Sequence, residues 1–192
     1  MNKIVNKGTG AGGFKTTING NHFEENTNNL KRLSEQGYKK HFLNKKGTNF
    51  YLEKKTSNKQ IIFLLQNNFK IFMKKEYKIN VFRSPDEAYL IKYKNKNILK
   101  ILEKKEQSVE GSVETKLWAG PSLKREYELV LGPCFQVYYG FCVNNFLELK
   151  FKSSKKKYNI LGTILDENNI PVLFGENDDY FEKLDSWLNN FL

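Results

Sequence analysis

Two carboxylates and an ammonium stand at the ends of two alternating runs. "DEAYLIKY" (86–93) opens on Asp86 directly after Pro85, and "ILKILEKKEQ" (98–107) closes through Glu103 and Lys105. Both runs alternate apolar and polar residues and are separated by "KNKN", the pattern of two strands joined by a tight turn. Side chains repeat every two residues along a strand, so Glu103, Lys105 and Gln107 share a face with Leu99 and Ile101, and Asp86 shares one with Ala88 and Leu90. An apolar sheet face would then end in Asp, Glu, Lys and Gln. Two carboxylates within reach of one hard divalent cation, with an ammonium to position or polarise a water, is the equipment of magnesium-dependent phosphodiester hydrolysis. The competing structural reading is a solvated strand end in a highly charged chain.

Glu-x-Lys alone carries no weight here. It recurs at Glu53–Lys55, Glu76–Lys78, Glu114–Lys116 and Glu148–Lys150, whereas Pro-Asp occurs once. Glu103 is the member of the series that ends a strand adjacent, by hairpin, to Asp86. Glu148, in "FLELKF", is its structural competitor.

A second candidate lies near the N-terminus. "KGTGAGGFKTTING" (7–20) holds five glycines and matches G-x-G-x-x-G as a string. Phe14 separates Gly13 from Lys15, which breaks a Walker loop, and only "KIV" is available as a preceding strand for a dinucleotide-binding turn. The stretch reads instead as a Gly-rich, basic arm over residues 1–20. Lys15, Thr16 and Thr17 are its candidates for approaching nucleic-acid phosphates.

The elements that must position these residues follow from pattern. "HFEENTNNLKRLSEQ" (22–36) places Phe23, Leu30 and Leu33 on one helical face, and "NKQIIFLLQNNFKIFMKKEY" (58–77) reads as a long apolar-rich helix, with a strand as the alternative. Ser112 can cap a short helix that stops near Gly120-Pro121, and Ser122 restarts one ending at Gly132. "CFQVYYGFCV" (134–143) is a nearly continuous apolar strand, expected to be central and buried on both faces. A basic helix over 153–168, a short strand over 170–175 and a helix over 178–192 with Asp178 or Asp179 as cap complete the chain. A hairpin followed by alternating helices and strands predicts an α/β fold with a mixed sheet flanked by helices, in one domain over 1–192.

The charge balance points the same way as the carboxylates. Lys and Arg number 32 against 21 Asp and Glu, a net +11, which favours a polyanionic partner. The competing source of that charge is codon bias, since Lys, Asn, Ile and Phe all crowd the sequence. The polar N-terminus lacks a signal-peptide pattern, the apolar stretch 61–65 is too short to span a bilayer, and a cytoplasmic protein without a membrane role is expected. Cys134 and Cys142 read as reduced core residues, and His22 and His41 cannot build a zinc site without partners.

"SPDEAYL" followed by "ILEKKEQSVEGSVETKL" resembles the PD-(D/E)xK nuclease superfamily, and within it small type II restriction endonucleases and their phage or viral relatives. Those proteins carry a PDxA strand, an E-K-K/x-x-Q strand and a G-S-V-x-x-K-L helix start. They also carry an N-terminal G-x-G-G-x-x-T-x-x-N-G-x-x-F-E segment, matched here by "GAGGFKTTINGNHFE" (10–24). Residues 38–78 and the C-terminal third match only in texture. The resemblance implies a restriction-endonuclease-like core with a catalytic hairpin. It makes Asp86, Glu103 and the Lys104 carbonyl ligands of Mg2+, with Mn2+ as a substitute. Lys105 would position water or stabilise developing charge, and Gln107 would support the site or contact nucleic acid. Glu24 would orient the metal-bound water, although a first-turn carboxylate favoured by the helix dipole is the plain alternative. Ser112 and Lys116 would touch phosphate, Ser112 being equally an N-cap.

The activity implied is that of a type II enzyme cutting double-stranded DNA to 5′-phosphate and 3′-hydroxyl ends. It would act as a homodimer on a short palindrome, with a DNA methyltransferase as genetic partner. A junction-resolving or repair nuclease of the same fold, and a non-catalytic DNA-binding module, are the alternatives. With three arginines in the chain, no recognition sequence can be read from base-contacting residue types.

Overall fold

The computed structural model describes residues 23, 26–108, 111 and 113–190. Seven strands form one mixed sheet in sequence order: β1 (Lys39–Phe42), β2 (Phe50–Lys55), β3 (Lys59–Leu65), β4 (Glu87–Tyr93), β5 (Lys96–Lys105), β6 (Phe135–Val143) and β7 (Val172–Phe174). β1 to β5 run antiparallel to their neighbours, whereas β6 is parallel to β5 and β7 to β6. The connections explain the change. Antiparallel neighbours need only a turn, and Lys94 and Asn95, both at positive φ (45° and 63°), form the two-residue link of the expected β4–β5 hairpin. Parallel neighbours need a crossover. Helices α3 (Val113–Trp118) and α4 (Gly120–Leu131) supply it before β6, and α5 (Asn145–Phe151) and α6 (Lys156–Glu167) before β7.

Period-two alternation divides the core into two layers. On one face Ile62, Leu64, Ala88, Leu90, Leu99, Ile101, Tyr139 and Phe141 pack against α2 (Gln66–Phe72) and α3 to α6. On the other, Phe63, Tyr89, Leu102 and Cys142 meet α1 (Asn29–Glu35), Phe23 and α7 (Tyr180–Asn189), whose Tyr180 and Leu184 are buried. Helices therefore cover both faces, as expected for a mixed α/β sheet. Among the described residues no helix is long and apolar enough to cross a membrane.

Several expectations need correction. Residues 58–77 do not form one helix. "KQIIFLL" is strand β3 between β2 and β4, and the chain becomes helical only at Gln66, ending in a π-helical turn over Met73–Tyr77. A continuous apolar run has no period to decide the matter, and its Ile and Phe content suits a strand with neighbours on both sides. β1 and β2, short and Lys-rich, were not anticipated. Neither was α5, which places Glu148 on a helix rather than at a strand end. α4 begins at Gly120 with Pro121 in its first turn rather than at Ser122, because proline is tolerated where no intrahelical N–H bond is lost. Gly120 is also required for approach, since a Cβ there would lie 2.9 Å from the Phe141 ring. Cys142 is buried but Cys134, just before β6, is exposed, so only one cysteine is a core residue.

Candidate metal centre at the rim of the sheet

Asp86 and Glu103 meet because of register. Glu87 pairs with Leu102 across the hairpin, so one step further Asp86 stands opposite Glu103 at the end of the sheet. Pro85 suits this position because a strand start needs no ladder donor there, and its carbonyl accepts the Gln66 N–H at 2.9 Å, fixing the entry into β4. Asp86 Oδ2 accepts the Lys104 backbone N–H at 2.7 Å.

Lys105 completes the arrangement. Its Nζ lies 2.7 Å from Glu103 Oε2, 3.0 Å from the Lys104 carbonyl oxygen and 3.4 Å from Asp86 Oδ2. One ammonium thus touches all three oxygens expected to hold a metal. The side chains keep limited solvent access, 22% for Asp86, 16% for Glu103 and 14% for Lys105. Among the described residues no group of three or more His, Cys, Asp or Glu side chains could hold a metal ion, so the donor set there is two carboxylates and a carbonyl. Those are hard oxygen donors, the type that suits Mg2+.

The electrostatics are those of a site short of positive charge. Burial pushes the Glu103 carboxyl above its ordinary range; Lys105 opposes the shift and Asp86 adds to it. Burial alone would lower the Lys105 ammonium, but Glu103 and Asp86 outweigh it and hold the group above its ordinary value. Two aromatic hydroxyls stand within the field of these carboxylates, Tyr127 from α4 and Tyr139 from β6. Both are raised by burial first, then by Glu103. The Tyr127 hydroxyl is buried without a hydrogen-bond partner among the described residues. Arg83, paired with Glu126 at 2.9 Å, acts on the same two tyrosines. None of these groups was singled out from sequence, because each reaches the site by tertiary packing rather than by spacing along the chain.

The opposite face of the same hairpin is braced by a buried ion pair. Lys104 Nζ lies 2.8 Å from Glu87 Oε1 and donates to the Thr27 carbonyl at 2.9 Å. The Tyr89 hydroxyl donates to Glu87 Oε2 at 2.5 Å and accepts from Asn29 Nδ2 at 2.6 Å. Lys104 therefore offers its carbonyl to the Lys105 ammonium and its own ammonium to the opposite face, and the network ties the start of α1 to the β4–β5 hairpin.

Of the remaining sequence candidates, Gln107 and Lys116 are among the described residues and the others are not. Gln107 lies past the end of β5, buried, with its N–H donated to Asn144 Oδ1 at 3.3 Å and its carbonyl accepting from Asn144 Nδ2 at 3.0 Å. Lys116 is exposed on α3. Glu24, Lys15, Thr16, Thr17 and Ser112 lie outside the described residues, as does the arm over 1–20.

The competing Glu-x-Lys pairs have structural partners or stand in solvent. Glu53 meets His41 Nε2 at 3.0 Å and Gln60. Glu114 is buried against Lys157 and Tyr158, tying α3 to α6. Glu148 bonds Asn177 at 3.0 Å and Lys152 at 2.5 Å. Glu76 is exposed on the π-helical turn. Of the series, Glu103 is the one set beside a second carboxylate.

No protein-family model, curated protein or solved structure matches the chain.

Proposed function

We propose that the chain is a Mg2+-dependent endonuclease of double-stranded DNA, with Asp86, Glu103 and the Lys104 carbonyl as metal ligands and Lys105 as the cationic partner. The observation that carries the reading is the convergence of all three oxygens on the Lys105 ammonium, 2.7 to 3.4 Å away. A cation already occupies the focus of the cluster, and a divalent ion would hold the same oxygens more strongly. The hairpin β4–β5 with parallel β6 beside it is compatible with a restriction-endonuclease-like core, and the net charge of +11 suits a polyanionic substrate.

When bound, Mg2+ supplies charge stabilisation and activation of a water at the scissile phosphate. The residues do the rest. Asp86 and Glu103 orient the donor set, and the Lys104 N–H holds Asp86 in place. Lys105, released from the carboxylates, would turn to the attacking water or the phosphate and offset negative charge as it develops. Hydrolysis would leave 5′-phosphate and 3′-hydroxyl ends. Gln107 would support the loop beyond β5, and Glu24 would orient the water from the N-terminal segment.

The type II restriction reading, with a homodimer on a palindromic site and a companion methyltransferase, is the specific form of this proposal. It rests on the motif order from "GAGGFKTTINGNHFE" to "SPDEAYL" to "ILEKKEQSVEGSVETKL". Digestion of plasmid DNA with Mg2+ tests it. Discrete fragments support site-specific cleavage, and a smear supports a nonspecific or repair nuclease. No cleavage with retained DNA binding would leave a binding module.

A further inference from the structure

The β1–β2 turn stands at the same end of the sheet as the carboxylates. Following the register, Phe42 pairs with Phe50, Leu52 with Phe63, Leu65 with Glu87, and Glu87 with Leu102. The chain beyond Phe42 therefore leaves the sheet along the rim that carries Asp86 and Glu103. Strands lie about 4.8 Å apart, so the turn between β1 and β2 is about three spacings, ~14 Å, from the pair on β4 and β5.

That turn is built to hold a shape. Gly47 adopts φ +71°, its N–H bonds the Asn44 carbonyl at 3.2 Å, Asn44 Nδ2 bonds Thr48 Oγ1 at 2.7 Å, and the Leu43 N–H bonds the Asn49 carbonyl at 2.8 Å. Lys45 and Lys46 take no part in these bonds and are exposed. Lys75, exposed on the π-helical turn, reaches the Leu43 carbonyl at 3.5 Å, and Lys74 precedes it, with Glu76 as the neighbouring acid. A rigid, basic tip is thus offered from the site's own edge.

We infer that the Asn44–Thr48 turn is a phosphate-contacting element for duplex DNA, with Lys45 and Lys46 gripping the backbone across a groove from the phosphate that the metal site at Asp86 and Glu103 would take. The inference rests on the nuclease reading. Its physical basis is spacing and sign: the separation of ~14 Å is comparable with the major-groove width of about 12 Å, and exposed lysines on an ordered turn neutralise phosphates without reading bases.

The sheet supplies an internal control. The β4–β5 turn carries two exposed lysines, Lys94 and Lys96, at the opposite end of the same strands. K45Q/K46Q and K94Q/K96Q remove equal charge from exposed positions, and both are expected to melt with the wild type. Duplex binding is measured in Ca2+ across a range of NaCl concentrations. Each lost phosphate contact lowers the steepness of log affinity against log salt by about 0.9, so K45Q/K46Q should be shallower by up to about 1.8, and K94Q/K96Q should match the wild type.

A wild-type slope in K45Q/K46Q overturns the inference, and so does an equal loss in both doubles, which would be a net-charge effect. If the wild type cleaves and binds DNA while the slope stays unchanged, only the turn's role falls. If the wild type neither binds nor cleaves duplex DNA, the nuclease reading falls with it.

Discussion

The Lys105 ammonium lies 2.7 Å from Glu103 Oε2, closer than its 3.4 Å to Asp86 Oδ2, so the two carboxylates are bridged by a cation from Glu103's own strand. Under the proposed function this bridge must open when metal and DNA bind. Asp86→Asn and Glu103→Gln should each reduce cleavage at least about 100- to 1,000-fold, the scale of losing one charge-stabilising group. Duplex affinity in Ca2+ should change far less. Lys105→Ala should lose cleavage comparably while keeping a metal-induced rise in melting temperature, because its removal leaves the oxygen donors in place. Loss of that rise in Lys105→Ala would make the lysine a structural member of the metal site instead.

Metal and pH act on the same group. A divalent ion at about 100 times its dissociation constant adds about 2.7 kcal/mol of stability. Differential scanning fluorimetry with Mg2+, Mn2+ or Ca2+ should show the increase, and Asp86→Asn should abolish it. Without metal the sign of the Glu103 contribution is reversed. Its carboxyl is raised in the folded protein, so folding favours the protonated form. That contribution is present below the ordinary glutamate value and is lost as pH rises through the raised one. Glu103→Gln should flatten this part of the stability profile, and a profile identical to the wild type would refute the shift.

The carboxylate pair was legible in sequence because a hairpin with a short turn fixes which residues stand opposite each other, and Asp86 and Glu103 are one step beyond Glu87 and Leu102. The strand β6 and helix α7 were legible for similar reasons, an unbroken apolar run and a strong helical period. What alternation could not reveal was the second layer. Glu87, Lys100 and Lys104 occupy positions that read as solvent-facing, yet α1 and α7 cover that face and all three are buried. The β3 segment was obscured by the opposite problem, too many consecutive apolar residues to define a period. Tyr127 and Arg83 come from elements whose docking is decided by packing, which no local spacing records.

The Glu87–Lys104 pair should behave as a buried ion pair that is costly to break from one side. Its side chains are 0% and 5% exposed at 2.8 Å separation. Lys104→Met removes the counter-charge of the buried Glu87 carboxyl and should cost about 3–5 kcal/mol, whereas Glu87→Gln with Lys104→Met should recover much of that loss. For a chain of this size the single change corresponds to a fall of about 10 °C in melting temperature. The carbonyl of residue 104 is retained, so cleavage measured well below the melting point should persist. A variant that is fully folded but inactive would show that the ammonium, and not only the carbonyl, serves the site.

Lys100 gives the clearest alkaline signature. It is buried on β5, donating to the Asn190 carbonyl at 2.9 Å and to that of Trp187, at the C-terminal end of α7 where partial negative charge collects. Its ammonium also faces the rings of Tyr138 and Trp187, with centroids at 4.5 and 5.1 Å. Burial, with Lys59 adding a like charge, nevertheless lowers it to about 8. The unfolded chain keeps this proton up to about pH 10.4, so between those values the unfolded state binds more protons than the folded one. Taken alone, this group contributes stability that grows as pH rises from about 8 toward 10. Cys142, raised to about 12 by burial, acts in the opposite direction from about pH 8.5, and Tyr38, also raised to about 12, joins it near pH 10, because the unfolded thiol and phenol ionise first. Between pH 7.5 and 9.5 the change in melting temperature should be more positive in the wild type than in Lys100→Met, which keeps the opposing Cys142 shift and the lowering at Lys59 but loses that of Lys100. Equal slopes in the two proteins would mean that the helix carbonyls and rings compensate the burial of the charge completely.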